Sequence, residues 1–203
     1  MKYKTLVISP HCDDEVLGCG GAIANRDSVF VYYLGVDVFH VVKRDIRIEE
    51  VRAVSEFLGF EYRIGNNTVN HYDKKTLINE ITDVINDIKP NEIFIPNNSY
   101  NQDHKETHDA CIIALRPHDI NHFVPLVLEY EIDQYLLWGD RTYWEDNWFE
   151  GIDVYKKCQA YLLHKSQVRP FRPESLISDY ARIRGLKCHK DAAEGFKILR
   201  YVL

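Results

Sequence analysis

Apolar residues along this chain follow two periodicities that alternate. The continuous runs Thr5-Leu6-Val7-Ile8-Ser9, residues 28–34 and Glu92-Ile93-Phe94-Ile95-Pro96 are rich in β-branched and aromatic side chains, and they read as strands buried on both faces. Phe60-Glu61-Tyr62-Arg63-Ile64 is a shorter strand candidate, and residues 125–131 are a further one. Between the strands the spacing becomes helical. Residues 14–25 read as a helix loosened by glycines, with Val16, Leu17, Ala22 and Ile23 apolar. Residues 44–59 set Ile48, Val51, Val54, Ser55 and Leu58 on one face and end at a glycine; residues 74–89 repeat the pattern from Leu77 to Ile88 and stop at Pro90. A polar loop is expected over 65–73, and another helix from about His104 to Leu115. The tail is expected to be helical in two parts, 152–163 and about 177–199, joined by Arg169-Pro170-Phe171-Arg172-Pro173. Strand and helix in alternation, without a repeat, predict an α/β domain with a parallel sheet.

The first strand runs into Pro10-His11-Cys12-Asp13-Asp14-Glu15, where an imidazole and three carboxylates crowd a strand-to-helix turn. Carboxylates this close repel unless a cation or a proton sits among them. A plainer reading makes Asp13 or Asp14 the N-cap of the following helix. The fourth helix is preceded by the polar stretch Asn97-Asn98-Ser99-Tyr100-Asn101-Gln102-Asp103-His104, again at the carboxyl end of a strand. Parallel strands open their carboxyl ends on one edge, so His11 and Asp14 are placed to converge with His104. Two histidines and a carboxylate, with a position left for water, form a normal catalytic zinc set. Asp13 would then be free to act as a general base, Asp103 could orient a liganding histidine, and Glu15 is left as structural. His108 lies four residues after His104, but Lys105 stands where the zinc-protease motif needs glutamate. Residues 18–23 begin like a dinucleotide fingerprint, yet Ile23 replaces its third glycine. For His40, His71, His118, His122 and His189 the default is a surface position.

Composition narrows the class of partner. With 203 residues, a net charge of −6 and basic residues scattered, the chain is not built to coat nucleic acid or an anionic membrane. No stretch is long and apolar enough to span a bilayer, and no signal-peptide pattern opens the sequence. Five cysteines, odd in number and without a Cys-x-x-Cys pair, suit reduced thiols in a cytoplasmic protein.

These residues resemble the LmbE-like, or PIG-L-like, zinc-dependent N-deacetylases. That family opens with a strand, His-Pro-Asp-Asp-Glu and a glycine-rich helix start; His11-Cys12-Asp13-Asp14-Glu15 and Val16-Leu17-Gly18-Cys19-Gly20-Gly21 differ only in Cys12 for proline. Its second signature is matched by Phe94-Ile95-Pro96 and Asp103-His104, and its Arg-x-x-Glu helix ending in Leu-Gly by Arg47, Glu50 and Leu58-Gly59. Late in the chain His164-Lys165-Ser166-Gln167, Arg184-Gly185 and Ala193-Glu194-Gly195-Phe196 are similar to family patterns. The resemblance implies a Rossmann-like three-layer α/β sandwich with a mostly parallel sheet, a single domain over residues 1–203. It implies Zn2+, or another divalent metal, on His11, Asp14 and His104. Asp13 would be the general base, Asp103 the orienting acid and Arg47 a substrate contact. Many members carry a histidine, which helps stabilise the oxyanion, where this chain has Asn101; an amide can donate a hydrogen bond there but is neither a cation nor an acid. Whether His108 takes that part stays open.

The reaction the resemblance implies is hydrolysis of an N-acetyl group on a small amino-sugar derivative. The rivals are a zinc hydrolase of another amide or ester, and a family member that binds sugar without cleaving it. Residues 135–148, rich in aromatics, read either as a sugar-stacking specificity element or as a patch covered in a homo-oligomer.

Overall fold

The computed structural model describes residues 5–36, 42–132 and 145–203. The strands are β1 (Thr5–Ser9), β2 (Val29–Gly35), β3 (Glu61–Asn67), β4 (Glu92–Pro96), β5 (Leu126–Tyr130), β6 (Trp148–Gly151) and β7 (Ala193–Tyr201). The helices are α1 (Asp14–Ala24), α2 (Arg44–Leu58), α3 (Lys74–Ile88), α4 (Gln102–Ala114), α5 (Val154–Leu163) and α6 (Glu174–Lys187). One sheet orders the strands β3-β2-β1-β4-β5-β7-β6. The pairs from β3 through β5 are parallel, and β7 runs antiparallel to both β5 and β6. The sheet is therefore mostly parallel, as expected.

The continuous apolar runs have a physical reason. Along β2, Val29, Val31 and Tyr33 enter the core beneath α1, α2 and α5, while Phe30, Tyr32 and Leu34 enter the core beneath α3 and α4. Alternate side chains point to opposite faces, and both faces are covered, so every position must be apolar. The three layers follow. Chain turns at helix ends also match the sequence signals: Gly59 closes α2 in the left-handed region at φ 78°, and Asp73 caps α3 through the Thr76 amide.

The tail departs from the expectation of a second long helix over 177–199. Helix α6 ends at Lys187, His189 takes a left-handed φ of 57°, and residues 193–201 become β7. This segment gains backbone partners from β5 on one side and β6 on the other, and that pairing overrides its helical spacing. Two smaller differences go the same way: β3 runs on to Asn67 inside the expected loop, and Trp148–Gly151 is a strand. The remainder of the aromatic segment 135–148 lies largely outside the described residues.

Strands β1 and β4 are neighbours at the point where the strand order reverses. Ligand sites of open α/β sheets form outside the carboxyl ends of such a pair. Residues 10–14 and 97–104 are those ends.

Candidate active site

The turn after β1 is held by its own polar groups. Ser9 Oγ donates to the His11 carbonyl at 2.7 Å, Tyr72 OH to the Pro10 carbonyl at 2.6 Å, and the His11 amide to Asp14 Oδ2 at 2.9 Å. Cys12, buried where the resembled family has proline, donates its thiol to the Gly35 carbonyl at 3.6 Å. These bonds fix the turn without a proline ring. Asp13 occupies the N-cap position of α1, but its carboxylate makes no capping bond. It faces two guanidiniums instead, Arg172 at 3.1 Å and Arg47 at 3.5 Å.

His11, Asp14 and His104 converge. His11 Nδ1 lies 3.2 Å from Asp14 Oδ2, His104 Nε2 lies 3.1 Å from the same oxygen, and the two ring nitrogens are 3.2 Å apart. Metal–ligand bonds of ~2.0–2.1 Å in a tetrahedron put donor atoms about 3.3 Å apart. The three atoms therefore form nearly one face of a tetrahedral zinc site, and the residues fit such an ion. Each ring is also held from behind. His11 Nε2 pairs with Asp103 Oδ2 at 3.0 Å, and His104 Nδ1 with Ser99 Oγ at 3.2 Å. Asp103 Oδ2 receives a second bond, at 2.6 Å, from the amide of Asn70, whose φ of 68° is left-handed.

Electrostatics bind the cluster together. Burial alone would depress the His11 pKa, but Asp14 and Asp103 outweigh it and hold it at about 10. Burial would raise Asp14; His104 and His11 overcome that and keep its carboxyl well below the ordinary range. A divalent cation among these groups would replace the proton that now balances Asp14.

Asn101 caps α4: its Oδ1 accepts from the amides of Asp103 at 2.8 Å and His104 at 3.4 Å. Its Nδ2 is what remains for a ligand. Arg47, 1% exposed, donates to the Cys12 carbonyl at 2.8 Å and to Glu50 at 3.2 Å, one helical turn away on α2. His108 is not brought to the cluster. Its Nε2 lies 3.2 Å from Glu129 on β5.

A cavity of about 310 Å³ opens over these groups, lined by His11, Asp13, Asp14, Arg47, Asn101 and His104 together with Asn70, Gln167, Arg169, Phe171 and Arg172. The wall from 167–172 was not foreseen as part of the site. Its residues lie in a proline-flanked link without periodicity, and of them only Gln167 falls in a stretch similar to a family pattern. Glu15 is structural as expected: it meets His164 at 3.0 Å, both fully buried, and ties α1 to the end of α5.

The fold and this cluster define an α/β protein with a His-His-Asp metal-type site at the switch point of its sheet. The family model described as PIG-L, GlcNAc-PI de-N-acetylase, matches residues 6–115, and the chain belongs to this family. Among curated proteins none matches the chain significantly. Solved structures do. A conserved protein of Thermus thermophilus is 21% identical with a TM-score of 0.83, over 100% of this chain and 97% of that one. The N,N'-diacetylchitobiose deacetylase of Pyrococcus horikoshii is 19% identical with a TM-score of 0.79, over 98% and 84%. The 4-carboxy-2-hydroxymuconate hydratase of Pseudomonas putida is 22% identical with a TM-score of 0.77, over 98% of each chain. At these identities the likeness is one of fold, and a hydratase shares it with a deacetylase.

Proposed function

We propose that this protein hydrolyses the N-acetyl group of a small amino-sugar derivative of the N-acetylglucosamine type, giving acetate and a free amine. The observation that carries the reading is the placement of Asp13. It borders the three converging donor atoms, faces the same cavity, and is held by two arginines rather than used as a helix cap. His11, Asp14 and His104 would hold the metal, which we take to be zinc from the two-imidazole, one-carboxylate donor set. When bound, such an ion polarises an amide carbonyl and lowers the pKa of water toward ~7.

The chain's own groups do the rest. Asp13 takes a proton from the attacking water and returns it to the departing amine. Arg47 and Arg172 fix the direction of its carboxylate. Asp103 and Ser99 hold the two imidazoles in the tautomer that leaves His11 Nδ1 and His104 Nε2 free to ligate. Asn101 Nδ2 offers a hydrogen bond to charge developing on the carbonyl oxygen. We assign the protein to the cytoplasm, a reading supported by its five free thiols.

The test is acetate release from N-acetylated sugars and sugar conjugates by metal-loaded protein. Chelation should abolish it, and readdition of zinc should restore it. Asp13→Asn should keep the metal and lose roughly 10²–10⁴-fold in kcat, the usual contribution of a general base. Undiminished turnover by thoroughly metal-stripped protein would overturn the mechanism.

A further inference from the structure

Among the described residues three guanidiniums line the candidate catalytic cavity, and two of them are accounted for. Arg47 is neutralised by Asp13 and Glu50, and Arg172 by Asp13, with its guanidinium also 5.7 Å from the centre of the Tyr161 ring. Arg169 is different. Among the described residues its side chain has neither an ion pair nor a hydrogen bond, although it is only partly exposed and lines the cavity.

Its position is nonetheless defined. The Arg172 amide donates to the Arg169 carbonyl at 2.9 Å, closing a turn over 169–172 with Pro170 at its second place. Proline presets φ there, so the corner is stiff before anything binds. The far end of the turn is anchored, because Arg172 also reaches the Gln167 carbonyl at 3.1 Å and Tyr161 OH at 3.3 Å.

Among the described residues no lining carboxylate is left for Arg169: the two are Asp13, already between two arginines, and Asp14, already between two histidines. A metal ion would make the lining more positive still. Among the described lining residues three arginines stand against two aspartates, so in a chain of net charge −6 this cavity keeps one positive charge in excess, at Arg169, which favours an anion there.

We propose that Arg169 is a specificity residue that binds a carboxylate or phosphate on the substrate, so that the protein acts on anionic rather than neutral N-acylated sugars. This rests on the deacetylase reading for its chemistry but not for its binding test. The planar guanidinium suits either oxyanion through paired N–H donors. Arg169 also lines the groove next to the cavity, between α2 and α5, which places it at the boundary where a substituent would leave the sugar.

The experiment compares three compounds: methyl N-acetylglucosaminide, N-acetylglucosamine 1-phosphate and the carboxymethyl glycoside. Acetate release is measured for wild type, Arg169→Lys and Arg169→Ala, all metal-loaded. Binding of the same compounds is measured by calorimetry in wild type and Arg169→Ala. One or both anionic compounds should be preferred by wild type by roughly ten- to a hundredfold in kcat/KM, the scale of a charge-assisted hydrogen bond. Arg169→Lys should keep part of that preference and Arg169→Ala almost none. Preference for the phosphate alone or the carboxylate alone identifies which oxyanion is read. Equal use of the neutral compound by wild type, or a preference that survives in Arg169→Ala, overturns the proposal. Absence of acetate release from all three counts against the deacetylase reading instead. Calorimetry then decides this one: tighter anion binding by wild type than by Arg169→Ala supports it, and equal binding overturns it.

Discussion

His108 shows how a residue four places from His104, a member of the converging cluster, acquires a different task. Its ring turns to Glu129 at 3.2 Å rather than toward His11 and His104. Burial lowers its pKa, but the bonds to Glu129 and Asp109 outweigh burial and raise it above the ordinary value of about 6.5. The folded state then holds this proton more tightly than the unfolded one. Its stabilisation is full below about pH 6.5 and is lost as pH rises through the raised folded value. The stability deficit of His108→Gln, read from urea midpoints, should therefore be largest in mildly acidic buffer and shrink as pH rises; a deficit that grows with pH would contradict the assignment. The same contrast governs what could be read from residues alone. His11, Asp14 and His104 were legible because each follows a strand end closely, where topology dictates convergence. Arg172 was not, since only three-dimensional packing carries a proline-flanked link back over β1.

At the scale of elements, apolar periodicity located most of the parallel part of the sheet and its helices, because the inner strands β1, β2 and β4 are buried along almost their whole length. It failed at β7. There Phe196 is buried while Lys197, Leu199 and Tyr201 are exposed, and the strand exists through its neighbours. This strand also repairs a helix. Helix α1 is kinked at Cys19, where φ is −144°, and the amides of Gly21 and Ala22 donate to Glu194 of β7 at 2.8 and 2.7 Å. Lys157 of α5 completes the arrangement, 2.6 Å from Glu194 and 2.8 Å from the Leu17 carbonyl. Removing one member of a buried pair strands the other. Lys157→Met should cost about 3–5 kcal/mol in chemical denaturation, and Lys157→Met with Glu194→Gln should recover part of that loss. A loss under ~1 kcal/mol would mean that the two helix amides alone satisfy Glu194.

For the molecule as a whole, a metal held by the His11, Asp14 and His104 cluster would be linked to stability. The folded chain presents three converging ligand atoms, and the unfolded chain spreads them over ninety residues and more, so a bound ion favours the folded state. At a free zinc concentration about a hundredfold above Kd the gain is ~2.7 kcal/mol, and Tm should rise by several degrees. His104→Ala should abolish the rise at that concentration, as checked by calorimetric scans with and without zinc. Among the described residues no helix is long and apolar enough to cross a membrane.

The metal-type ligands all lie within the first 104 residues, whereas one wall of the cavity comes from 167–172. That separation has an evolutionary consequence. Gene duplicates can diverge at a handful of consecutive codons, changing which molecule is admitted, while the ligand cluster is inherited untouched. Arg172 is the exception, because it also grips Asp13, and drift at that codon would reach the proposed general base. Descendants of such a gene would therefore be expected to vary at Arg169 and Phe171 before they vary at Arg172.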